Sequence, residues 1–124
     1  MPEPIEIHVE TAYLPERSTP GRFLFAYRVT IRNCGLQVVQ LLERHWIITD
    51  ASGRVTEVRG EGVIGQRPIL RPGECFDYAS SASVIEPPAS MRGSYAFRSE
   101  SGEVFEAPIA SFALRLPEQP GALN

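Results

Sequence analysis

Lysine is absent from this chain, and all twelve of its basic residues are arginines. A P-loop lysine, a Schiff-base lysine and a lysine general base are thereby excluded, so any anion site must rely on arginine and backbone amides. Cysteine is scarce. Cys34 and Cys75 form no C-x-x-C pair, which removes the common zinc and dithiol-redox motifs and predicts two unbridged thiols. Long apolar runs are missing as well, none approaching the roughly 20 residues of a membrane helix. The opening MPEPIEIHVE is acidic and alternating rather than basic and then apolar, which predicts no signal peptide and a cytoplasmic location. A net charge of −3 argues against nonspecific attachment to nucleic acid or to a membrane surface. At 124 residues, 43% apolar and 22% charged, the chain has the size and composition of one globular domain spanning residues 1–124.

A helical stripe is also missing, because every candidate stretch is interrupted by proline or by strand formers. What the chain has instead is alternation. IEIHVETAYL places Ile5, Ile7 and Val9 on one face, with Glu6, His8 and Glu10 on the other. FLFAYRVTIRN sets Phe23, Phe25, Tyr27, Val29 and Ile31 against Arg28, Thr30 and Arg32. VVQLLERHWIIT, RVTEVR, ECFDYA, GSYAFR and EVFEAPIASFALRL supply five more segments rich in β-branched and aromatic residues. Trp46 is expected in the core, on a face shared with Leu42 and Ile48.

The punctuation agrees with strands. Asp50–Gly53 and Ser99–Gly102 are matching hairpin turns, and Arg71-Pro72-Gly73-Glu74 fits a type II turn. About seven strands predict an all-β protein, an antiparallel β-sandwich of the immunoglobulin or fibronectin type III kind. The final PEQPGALN reads as frayed.

The segment GEGVIG, residues 60–65, matches the G-x-G-x-x-G dinucleotide-binding pattern. That pattern needs a helix after the last glycine, and Pro68 and Pro72 forbid one here. Two readings of Gly60, Gly62 and Gly65 remain. In the first, they let a loop of roughly a dozen residues cross between sheets, with Val63 and Ile64 pointing inward. In the second, their amides form an anion nest flanked by Arg59 and Arg67 and opposed by Glu61.

No catalytic constellation is legible. A nucleophile elbow is missing, and Ser80, Ser81 and Ser83 read as a polar loop after a strand. His8 is expected in solvent and His45 as a packed or rim residue of a central strand, and no ligand spacing joins them into a metal site. Asp50 is explained by its turn. No catalytic residue, metal ligand or cofactor is therefore assigned.

The run from Phe25 to Tyr95 resembles the ApaG family. FAYRVTIRNCG, VQLLERHWIITD, GRVTEVRGEGVIG, P-x-L-x-P-G-E and the Met91, Gly93, Tyr95 triplet carry the resemblance. It departs from the family pattern at Arg67, where glutamine is usual, and at Ser81 and Ala89, where glycine is. The resemblance implies a fibronectin type III-like sandwich, found as small bacterial proteins linked genetically to cobalt and magnesium handling and as modules of larger proteins. It also implies a suggested pyrophosphate site at the glycine loop and supplies no catalytic set. The expected function is a noncatalytic module with an unidentified protein partner. A sensor holding a nucleotide or pyrophosphate weakly at Arg59, Gly60, Gly62, Gly65 and Arg67 is the alternative. A metal-dependent phosphohydrolase comes third.

Overall fold

The computed structural model describes residues 4–117 and is built almost entirely of antiparallel strands. In chain order these are β1 (Ile5–Tyr13), β2 (Phe23–Asn33), β3 (Val39–Thr49), β4 (Val55–Glu61), β5 (Ile69–Leu70), β6 (Cys75–Val84), β7 (Ala89–Ser99) and β8 (Val104–Leu114). One sheet runs β1-β2-β6. The other runs β4-β3-β7-β8, with β5 also paired to β3. A single 3-10 turn, Pro15–Arg17, links β1 to β2. The expectation of a frayed tail concerns residues that lie, Pro117 apart, outside those described.

The core forms where the two inner faces meet. Phe25, Tyr27, Val29 and Ile31 from β2 are buried against Leu41, Trp46, Met91, Tyr95 and Phe97 of the larger sheet. This is the period-2 consequence of the alternation in FLFAYRVTIRN. Ile5, Ile7 and Val9 are half-buried at its margin. Trp46 is 2% exposed and meets Tyr27, Tyr95 and Phe112 edge-on, with centroids 5.5, 6.0 and 5.8 Å away.

A bulge on β3 changes which residues face inward. Val39 and Leu41 point into the core, the ladder with β7 slips between Leu41 and Glu43, and Trp46 then takes the inward face. Leu42 is the extra residue and stays half-buried, so it does not share the fully buried position of Trp46. Ile48 packs at the core's edge, as expected.

The turns follow their residue chemistry. Gly53, Gly73 and Gly102 each carry φ between 87° and 90°. Asp50 Oδ1 accepts bonds from the Ser52 and Arg54 amides and from the Ser52 hydroxyl. Those bonds, the Ser52 hydroxyl first, hold the Asp50 carboxyl below its usual range. Ser80, Ser81 and Ser83, expected in a loop, lie within β6. Small hydroxylated side chains do not prevent a strand when the backbone pairs with β2 and the alternate residues Tyr78, Ala82 and Val84 are buried.

Candidate functional site

The glycine segment does not cross between sheets. β4 and β5 pair with the same strand, β4 against residues 43–49 of β3 and β5 against Val39 and Gln40. Residues 62–68 are an excursion thrown out of one interrupted edge, opposite the bulge at Leu42. The Gly62 amide donates to the Leu42 carbonyl and the Leu41 amide to the Pro68 carbonyl. The move to the other sheet comes later, through the Arg71–Glu74 turn that leads into β6.

Each glycine of the triplet has a physical reason. Arg44 lies beneath Gly60, where a β-carbon would sit 2.7 Å from the guanidinium. Arg44 Nη1 donates to the carbonyls of Glu61 and Gly62, at 3.0 Å each. Gly62 has φ +61°, and a β-carbon there would stand 2.2 Å from the Gln66 carbonyl oxygen. Val63 and Gln66 exchange both backbone bonds around a two-residue tip formed by Ile64 and Gly65, whose φ values are 43° and 78°. Positive φ at both tip positions is the I′ geometry that matches the twist of a hairpin. Val63 is fully buried, as expected; Ile64, expected inward, is 55% exposed because its left-handed backbone swings it out.

The amides of Gly62, Val63 and Gln66 are thus committed to backbone acceptors, while the carbonyls of Glu61 and Gly62 face the Arg44 cation. Arg67 lies 3.3 Å from Glu61, and Arg59 lies 3.6 Å from Glu57. All four side chains are exposed. Arg44, Arg59 and Gly60 line a shallow cleft of about 220 Å³ on the outer face of the larger sheet, with Glu43, His45, Glu61 and Glu106. His45 Nε2 is 2.5 Å from Glu57 Oε2 in the same region. His8 sits on the other sheet, exposed, with Glu10 at 3.9 Å. Among the described residues no cluster of three or more histidine, cysteine or acidic side chains is placed to hold a metal.

A second opening lies between the sheets. β1 packs against β8 and closes one side of the sandwich. Along the other side, between β4 and β6, a cleft of about 320 Å³ reaches down to Tyr27, Arg44 and Trp46. Register shows that its walls are inward-facing positions left uncovered. Ser80 pairs with buried Tyr27, Val58 with buried Trp46 and Thr56 with Ile48, yet Ser80, Val58 and Thr56 are all exposed. The indole Nε1–H of Trp46 is buried without a hydrogen-bond acceptor among the described residues.

Below the seam, the Tyr78 and Tyr95 hydroxyls hydrogen-bond to one another and tie β6 to β7 across the core. Burial pushes the Tyr78 phenol up to about 12. It raises Tyr95 further, where the neighbouring Tyr78 adds to the effect and Arg44 opposes it. Neither Arg44 nor this pair was identified from the sequence. The inward phase of Arg44 depends on the β3 bulge, which alternation alone does not reveal.

Comparison with known proteins identifies the family. The ApaG domain model matches residues 14–99. The chain is 52% identical over 122 residues to Protein ApaG of Azotobacter vinelandii, covering 97% of this chain and 94% of the relative. It is 50% identical to Protein ApaG of Thiobacillus denitrificans over 115 residues, 91% of each chain. The crystal structure of an ApaA protein from Bordetella pertussis superposes with a TM-score of 0.91 at 46% identity, covering 95% of this chain and 98% of that one.

Proposed function

The chain belongs to the ApaG family, and from that premise we propose that it is a noncatalytic binding module acting through protein–protein contact. The family and the all-β fold do not point to a catalytic family. The observation that carries the reading is the seam between β4 and β6. A folded sandwich normally covers its inward positions, and here Thr56, Val58 and Ser80 are left in solvent above Tyr27 and Trp46. Walls of Thr56, Val58, Ala82 and three serines over a floor of Tyr27, Trp46 and Met91 mix hydroxyl and apolar surface in the way a protein interface does. The link between ApaG proteins and cobalt or magnesium then runs through a protein partner, not through an ion held by these residues.

The test is affinity capture from lysate with the native protein and with Ser80→Arg, which fills the seam from its β6 wall. A specific partner is expected with the native chain and is lost with Ser80→Arg. Absence of any partner above background contradicts the reading, as does a partner indifferent to Ser80→Arg.

A second reading is a weak polyphosphate site at the outer cleft, supported by Arg59 and Gly60 lining it. Glu43, Glu61 and Glu106 line it too and oppose an anion. Exposed Arg59, a half-buried Arg44 already donating to two carbonyls and few uncommitted amides, with Arg67 outside the lining, limit affinity to dissociation constants of roughly 0.1–1 mM or weaker. Calorimetry with pyrophosphate checks this. Micromolar binding, lost in Arg59→Ala with Arg67→Ala, would place the sensor reading first.

A further inference from the structure

We infer that β4 is a self-association edge, pairing antiparallel with β4 of a second copy about a two-fold axis at Val58. The inference does not depend on the seam reading.

β4 is the terminal strand of its sheet, so one backbone edge of Val55–Glu61 has no strand beside it. Such an edge is usually guarded by charged side chains, proline, a bulge or an inward charge. β4 has no proline, its ladder with β3 runs without a register shift and its inward positions are Thr56, Val58 and Gly60; its charges, Glu57, Arg59 and Glu61, alternate in sign on the outer face and so repel only a mismatched partner. The opposite edge of the same sheet, β8, carries Pro108, and its ladder with β7 is broken by a bulge.

Charge selects the partner and the register. Antiparallel pairing about a two-fold axis at Val58 places Glu57 opposite Arg59 of the second copy, and Arg59 opposite its Glu57. Both pairs lie on the outer face, where these side chains are already exposed and 3.6 Å from one another within one chain. Across the axis the four charges alternate in sign, and opposite charges in directly facing positions favour pairing. Centring one residue earlier sets Glu57 against Glu57. Centring one residue later sets Arg59 against Arg59 and Glu57 against Glu61. Centring at Gly60 also matches charges, but Gly62 has already left the strand at φ +61°, which leaves too little of β4 to pair. The Val58 register also uses the whole strand and brings the two exposed Val58 side chains together on the inner face. Because the axis is perpendicular to the sheet, both inner faces lie on one side, and the two seams open toward each other across the new β4 pair.

Sedimentation velocity on the intact protein, with reductant present because Cys34 and Cys75 are both exposed, tests this from about 1 µM to about 1 mM. A concentration-dependent dimer is expected. Glu57→Arg and Arg59→Glu should each weaken it by about tenfold or more, since each turns two symmetric attractions into repulsions. The double exchange should restore it, an outcome that general destabilisation cannot mimic. Ser80→Arg should leave the dimer intact, which separates this result from the partner test. A monomer at every concentration, whether or not β4 takes up some other chain, overturns the inference. A dimer indifferent to the single charge changes, or not restored by the double exchange, overturns it too.

Discussion

At Gly62 and at the Tyr78–Tyr95 pair, single residues carry more of the structure than their types suggest. Gly62 combines a left-handed backbone with a carbonyl 2.2 Å from where a β-carbon would stand. Gly62→Val should therefore lower stability by at least about 2 kcal/mol. Chemical denaturation checks this, and an unchanged midpoint would mean the excursion relaxes without cost. The tyrosine pair predicts a pH dependence. Unfolded tyrosines ionise near their ordinary value of 10.0, while folded Tyr78 holds its proton to about 12. Folding is therefore favoured by protonation, fully so below pH 10, and stability falls as pH rises from 10 toward 12. Denaturation midpoints measured across that range should decline, and Tyr78→Phe should reduce the slope. The same variant should cost about 1–3 kcal/mol near neutrality, because it leaves the Tyr95 hydroxyl buried without its partner.

Among the strands, β1, β2 and the hairpin turns were readable from sequence because their determinants are local. Alternation in FLFAYRVTIRN sets the buried face of β2, and Asp50 or Gly73 sets a turn through its own side chain or φ. The features that were not readable depend on pairing partners distant in sequence. The β3 bulge at Leu42 exists because β7 and the 62–68 excursion meet β3 there, and it reverses the facing of every later residue. β5 is two residues long and is defined by Val39 and Gln40 rather than by its own composition. The glycine triplet was legible as a constrained loop. Its role in seating Arg44 was not, since that contact spans the β3–β4 ladder. Trp46 was placed in the core correctly because the bulge precedes it. Trp46→Ala should cost about 3–5 kcal/mol, removing the ring that Tyr27, Tyr95 and Phe112 surround. A melting midpoint close to that of the native protein would contradict this packing.

The molecule as a whole is a sandwich closed on one side and open on the other. Where β1 meets β8, inward residues are covered; where β4 faces β6, Thr56, Val58 and Ser80 are not. The proposed function rests on that asymmetry rather than on the glycine loop, whose Gly62, Val63 and Gln66 amides and whose arginines already have partners within the chain. Among the described residues no helix is long and apolar enough to cross a membrane, and this places no limit on where the partner resides. The most direct measurement is the affinity of the captured partner, once purified, for the native protein and for Ser80→Arg, with equal melting midpoints verified for the two. The seam reading predicts at least about tenfold weaker binding to Ser80→Arg, the scale of one obstructed interface anchor. Equal affinity for both proteins would contradict it and place the contact elsewhere on the surface.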